Sequence, residues 1–346
     1  MTPIETLQTI LQEMDTNKEL YVANPQKDFS RKLKISFYDL MWFLLFIGAS
    51  GMEEEIRRAF NDKKFSYITS VAVFKSRLKI KVKLALQCRK FATISNQYGG
   101  ANRMHVNFAY DILNKTFLDC VIEAKNVADE RKGAVSMLSN LARSEKILAI
   151  TTKSRLCPIN KLDLDLNFAV TAQSKREPYK MKIKAWDMEL PCNVSFRLVK
   201  VKVKGKCLVL ATNLPRTDFP IHKLKELYES RWKIELAFRD IKHALGTLHF
   251  HSKKDLFNLQ EFFAHLIRYN LTQRIISQVR LPKTVRKYEI NFRNAAQIIQ
   301  DYCRRFRLVD YCQLLAQIRH YIHPIRQNRL FRRYCRYSFP VCFNYR

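Results

Sequence analysis

The spacing of apolar and polar positions changes several times along the chain, and each change predicts an element. Over residues 1–62 the pattern is helical. Ser36 and Asp39 form a capping pair before the apolar run Leu40 to Ile47, Gly48 and Gly51 break it, and Glu53 to Glu55 give the next helix an acidic start. Residues 63 to about 90 interleave Lys and Arg with Phe74, Leu78, Ile80, Val82 and Leu84, which predicts a basic amphipathic helix. Its charged side is either a partner-facing surface or a solvated face.

Strand-like alternation begins at Phe91 to Ser95 and is clearest from Met104 to Ala124, where two β-rich runs flank a turn at Asp111 to Lys115. That pattern predicts a hairpin. Ala128 to Arg143 reads as helical, and Lys146 to Thr151 as a short strand buried in a parallel or mixed sheet. From Asn167 to Asn213 the period is two again. Lys180, Lys182 and Lys184 alternate with apolar residues, as do Lys200, Lys202, Lys204 and Lys206 with Val199, Val201 and Val203. Each such strand gathers its lysines on one face, fit to track a phosphate backbone or simply to be solvated. After Pro220 the chain reads as helical to about Ser277, and residues 281–346 as helical and then irregular.

Composition changes the picture through charge. The 62 Lys and Arg against 31 Asp and Glu leave a net charge of +31, of which residues 281–346 carry +11. A polyanion is the expected partner, and nucleic acid suits it because each neutralised phosphate releases condensed counterions. With 346 residues and 47% hydrophobic content the chain can bury a sizeable core, which excludes disorder as its main state. Its longest apolar run, Leu40 to Ala49, is well short of the roughly 20 residues that span a bilayer, so no membrane segment is expected. No basic region followed by an apolar stretch and a small-residue cleavage site opens the sequence. That predicts a cytoplasmic protein in a reducing compartment, its nine cysteines mostly thiols, and the expected nucleic-acid partner makes it nucleoid-associated.

Two kinds of chemistry are excluded by spacing. Seven glycines include no phosphate-cradling loop, so nucleotide hydrolysis has no support. His320, His323, Cys335 and Cys342 stand in the order of a zinc site, but the two cysteines are too far apart for a structural zinc pair, and His249 and His251 read as a strand or loop pair.

The informative segment is Leu224 to Leu245. On one helix at about 100° per residue, Arg231, Glu235 and Lys242 project from the same side as Tyr228. One carboxylate among two cations and a phenol is a poor core stripe. It suits a metal held beside a phosphodiester, or an exposed ion-pair ladder of Glu235 with Arg231 and Arg239.

These residues resemble the signature Tyr-x2-Arg-x3-Glu-x6-Lys of the bacterial insertion-sequence transposases of the insertion sequence 4 family. Tyr228, Arg231, Glu235 and Lys242 match it without a gap. The resemblance continues through Thr212 to Pro215 and Phe250 to Lys253. It also takes in Asp28 to Leu33, Asn102 to Asp111, Pro324 to Arg326 and Phe343 to Arg346. It implies an α/β fold: a ribonuclease H-like core over 63–277 with an all-β insertion at about 160–215, a helical N-terminal unit over 1–62 and a basic C-terminal region over 278–346. It also implies cut-and-paste transposition of DNA with Mg²⁺ or Mn²⁺ held by Asp, Asp and Glu. Glu235 would be the third ligand, and Tyr228, Arg231 and Lys242 would handle phosphates at the terminal inverted repeats of the element, with a homodimer in synapsis. Arg326, Arg329, Arg332 and Arg333 read as further DNA contacts.

The chain departs from that pattern at both aspartates. It contains no Asp-Gly and neither Asp nor Glu between Asp62 and Asp111. Ser95 and Thr151 stand where the two aspartates are expected. Asp111, Asp119, Asp163 and Asp165 could replace them only in a rearranged core. Two readings compete: a DNA transposase, and a catalytically dead transposase relic that only binds DNA. An RNA-binding module lacks an aromatic RNP-like strand.

Overall fold

The computed structural model describes residues 1–31, 34–60, 68–81, 92–96, 99–124, 133, 137, 150–152, 165–171, 193–203, 206–246, 250–252, 254–304 and 310–325. They form a mixed arrangement of helices and small sheets in two compact units.

One unit comprises Met1–Ala85, Asn114–Thr116 and Leu236–Arg346. Helix α1 (Pro3–Thr16) starts in a capping box, with Thr2 Oγ1 accepting from Glu5 N and Glu5 Oε2 accepting from Thr2 N. Helix α2 (Phe37–Phe46) starts at Ser36, whose Oγ accepts from Asp39 N at 3.0 Å, as the capping pair predicts. Helix α3 (Met52–Phe60) follows the break at Gly48 to Gly51, and α4 (Ser70–Arg77) is capped by Thr69. Apolar residues of α2, Leu40, Phe43 and Leu44 among them, form one core with Ile275, Ile299 and Leu314.

The expected basic helix over 63–90 takes a different form among the described residues. It ends at Arg77, after which Ala23 N donates to Lys79 O and Lys81 N donates to Tyr21 O, flanking a bridge between Val22 and Ile80. The polarity is inverted as well, because Arg77 is fully buried while Leu78 is exposed. Backbone pairing with a distant segment outweighs helical periodicity here.

The other unit comprises Leu86–Leu113 and Phe117–Glu235. Strands β1 (Ala92–Asn96), β2 (Gly99–Asp111) and β3 (Thr116–Ala124) form a sheet in that order, and β2 and β3 flank the turn predicted at Asp111 to Lys115. Asp111 Oδ1 accepts from Leu113 N at 2.8 Å, and Lys115 adopts a positive φ of 56°, which together reverse the chain. A second sheet has the order β4-β7-β6-β5, from β4 (Ile150–Thr152), β5 (Asp165–Thr171), β6 (Asn193–Val203) and β7 (Lys206–Thr212). β4 pairs antiparallel with β7, and the described pairings of this sheet are all antiparallel, where the apolar run to Thr151 predicted a parallel or mixed sheet. On β6 the alternation holds, with Val199 and Val201 buried and Lys202 exposed.

The long helical stretch expected from Pro220 to Ser277 divides into α5 (Ile221–Glu229), α6 (Trp232–His243) and the 22-residue α7 (Asp255–Ile276). Beyond it come β8 (Tyr288–Ile290), α8 (Phe292–Arg304), α9 (Tyr311–His320) and β9 (Ile322–Pro324), with β8 and β9 paired antiparallel. Among the described residues no helix is long and apolar enough to cross a membrane, and Cys120, Cys303 and Cys312 are free thiols. Lys180, Lys182, Lys184, most of Ala128 to Arg143, and Arg326, Arg329, Arg332 and Arg333 lie outside the described residues.

Candidate functional site

The signature is presented by the turn that follows β7. Arg197, buried on the same face of β6 as Val199 and Val201, donates from Nη1 to Leu214 O at 3.1 Å and to Phe219 O at 2.9 Å. These bonds hold the segment that launches α5. Leu224 of α5 then packs with Val199, Val201, Leu210 and Leu214, and Leu227 and Tyr228 lie against the same cluster. Tyr228 is thus placed by the sheet. Arg197 escapes the reading of motifs, yet the sequence holds a signal for it, since an arginine on the valine face of a period-two strand must find buried acceptors.

The single helix expected from Leu224 to Leu245 is broken between Tyr228 and Glu235. Ser230 ends α5, with both its N and its Oγ donating to Glu226 O at 3.1 and 3.3 Å. Arg231 N donates to Tyr228 O and Lys233 N to Ser230 O, a tightened turn that re-aims the chain into α6. The break leaves Tyr228, Arg231 and Glu235 in contact with one another. The Arg231 guanidinium carbon lies 5.6 Å from the centroid of the Tyr228 ring, and Nη2 donates to Glu235 Oε1 at 2.8 Å. The side chains of Arg231 and Glu235 are 48% and 34% exposed, so the pair is open to a ligand. Lys242 is exposed on α6, seven residues after Glu235. Asp240, also on α6, has its carboxyl pKa raised by burial, an effect that Arg239 opposes.

The structure does not gather the expected ligand set. Ser95 stands opposite Gly100 in the β1–β2 pair, and Thr151 opposite Leu210 in the β4–β7 pair, so the two positions belong to different sheets. The carboxylates of the hairpin are engaged with its own backbone: Asp111 with Leu113 N, and Asp119 with Cys120 N at 2.8 Å. Asp163 lies outside the described residues. Among the described residues no three of His, Cys, Asp or Glu come together as a metal-binding group. A site for Mg²⁺ or Mn²⁺ draws on hard oxygen ligands, carboxylates above all. One carboxylate already bonded to an arginine, with hydroxyl residues at the other two positions, does not fit a metal pair. His323, considered for zinc, bonds through Nε2 to Glu289 Oε1 at 2.9 Å across the β8–β9 pair.

The family model described as "Transposase DDE domain" matches residues 42–271, from within α2 to within α7. The chain is 37% identical over 83 residues to the "Transposase InsG for insertion sequence element IS4" of Escherichia coli (strain K12), a match covering 23% of this chain and 19% of that protein. The chain therefore spans about a fifth of the length of that curated relative. No solved structure matches.

Proposed function

The chain belongs to the family of DDE transposases that includes the insertion sequence 4 transposase, and on that premise we propose that it binds the terminal inverted repeats of its own insertion element. The observation that carries this reading is the trio at the α5–α6 junction, where Tyr228 supports Arg231 and Arg231 reaches Glu235. Arg231 offers a guanidinium fork to a phosphate, Tyr228 a hydroxyl, and Lys242 a further cation on the same helix as Glu235. Arg326, Arg329, Arg332 and Arg333 would extend the contact along the backbone, with a homodimer holding two ends. The architecture we propose is a ribonuclease H-like core over 63–277, interrupted by a β insertion at about 160–215 and flanked by a helical unit over 1–62 and a basic region over 278–346. Strands β5, β6 and β7 fall in the proposed insertion.

Two readings of the chemistry follow, and each has its own support. The complete Tyr-Arg-Glu-Lys spacing favours metal-dependent cut-and-paste, with Glu235 as the ligand and catalytic carboxylate. Ser95 and Thr151 favour binding without cleavage, because a hydroxyl is a weak ligand for a hard divalent cation. The chemistry of the donor set supports the second more strongly. A nicking assay on end-containing DNA with millimolar Mg²⁺ or Mn²⁺ separates them. The expected result is binding with no nicking, and Mn²⁺ affinity by isothermal titration that rises in the double variant Ser95→Asp with Thr151→Asp. Nicking by the unmodified chain that Glu235→Ala abolishes would establish the first reading instead.

A further inference from the structure

The loop between α2 and α3, residues 47–51, is gripped by side chains rather than by a backbone ladder. Phe46 O accepts from Gln300 Nε2 at 2.7 Å, and Ile47 O accepts from Arg268 Nη1 at 2.8 Å. Gly48 N and Ser50 N donate to the two oxygens of Glu55 at 2.8 and 3.1 Å. The last grip is His251. Its Nε2 lies 2.7 Å from Ser50 O and its Nδ1 lies 3.0 Å from Glu261 Oε2 on α7.

The two partners of this ring fix its proton count. A peptide carbonyl can only accept, and so can an ionised carboxylate. Glu261 is held in the ionised form: Arg77 Nη1 donates to its Oε1 at 2.8 Å, and the backbone N of His251 donates to Oε2 at 3.1 Å. Burial would raise the Glu261 pKa, but the bond from His251 and the charges of Arg77 and His251 outweigh it and leave the pKa lowered. Both ring nitrogens of His251 must therefore carry hydrogen, which is the imidazolium form.

We propose that His251 is a proton-operated latch that, as an imidazolium, fastens the 47–51 loop to α7 and, on losing one proton, lets that loop open. The charged groups around it agree with this role. Glu261 from α7 and Glu55 from α3 favour the cation, while Arg77 from α4 and Arg304 from α8 reach it through those carboxylates. Arg58 of α3 bonds Ser50 Oγ at 3.2 Å. His265 of α7 is pushed down to about 3 by burial and so is uncharged at neutral pH. Burial alone would lower the His251 pKa, but the bond and charge of Glu261, the Ser50 carbonyl and Glu55 together raise it above the ordinary 6.5.

The sign follows from linkage. The closed loop holds the proton more tightly than the open one, so the closure is fully stabilised below pH 6.5, where the released histidine would also be charged. That stabilisation is lost as pH rises from there through the raised pKa, and is then constant. The test is hydrogen exchange of peptides spanning residues 47–51 in the full chain from acid to alkaline pH, corrected for base catalysis, with ¹⁵N spectra of the histidine rings. The expected opening constant is flat at acid pH, rises by up to about tenfold per pH unit between 6.5 and the His251 pKa, and then levels. In His251→Gln it should be independent of pH. If that variant does not fold, the unmodified chain still decides: one ring should remain doubly protonated at neutral pH and titrate together with the loop. A neutral His251 ring at neutral pH, a flat loop profile, or ring and loop midpoints more than about one pH unit apart would overturn the proposal.

Discussion

Two arginine–carboxylate pairs with the same N–O distance, 2.8 Å, have opposite roles because their exposure differs. Arg231 and Glu235 sit at the surface, where water already solvates both charges and the pair adds at most about 1 kcal/mol. Arg77 and Glu261 are 0% exposed, and without Glu261 the Arg77 guanidinium keeps Gln260 Oε1 and Phe257 O as acceptors but no opposite charge. Arg231→Ala should therefore change unfolding by less than about 1 kcal/mol, while weakening binding to end DNA by about tenfold, the loss of one charge-assisted bond. Glu261→Ala should cost about 3–5 kcal/mol, because it strands Arg77 and removes the acceptor of His251. Urea unfolding of the full-length variants reads both; comparable losses would mean that Arg231 is structural. The surface group was legible in the sequence, since Tyr228, Arg231 and Glu235 are neighbours at helical spacing. The buried one was not, because Arg77 and Glu261 are 184 residues apart and no local pattern links them.

Among elements, what the sequence could tell depended on whether the deciding interaction was local. Ser36 and Asp39 announced the start of α2 and the Asp111 to Lys115 turn the hairpin of β2 and β3, each through bonds spanning a few residues, and Gly48 and Gly51 announced the break before α3. The end of α4 was hidden because Ile80 pairs with Val22 across the sequence, and that pairing stops the helix. The break between α5 and α6 was closer to legible. A serine at position 230 can bond back to Glu226 and bend a helix, but the strong spacing of the signature concealed it. The antiparallel partner of β4 is a tertiary choice that an apolar run cannot report. Ser36 offers the test at this scale. Ser36→Ala removes the acceptor for Asp39 N and the donor to Asp39 Oδ2 and should cost about 1 kcal/mol, whereas Ser36→Thr keeps both and should be near neutral. Equal losses in thermal unfolding would show that α2 is set by its burial alone.

For the molecule as a whole, the dominant physical quantity is its net charge of +31. Like charges at this density repel one another, and a polyanionic ligand removes that penalty, so affinity for duplex DNA should be high at low salt and strongly salt-dependent. The basic tail is where this charge is least balanced by acids, since residues 326–346 hold six arginines and neither Asp nor Glu. β9 ends at Pro324, and Ile325 N still donates to Lys287 O, so a chain ending at Ile325 keeps the described pairing with β8 intact. Its affinity should fall for specific and nonspecific duplexes alike, because phosphate contacts position a protein without reading sequence. The slope of log affinity against log salt should become shallower by about one for each arginine that had touched a phosphate. Fluorescence anisotropy at several salt concentrations reads both quantities on the same two proteins. A truncated chain that binds with unchanged affinity and slope would show the tail to be a solvated surface, and among the described residues would direct attention to the α5–α6 junction and the lysine face of β6.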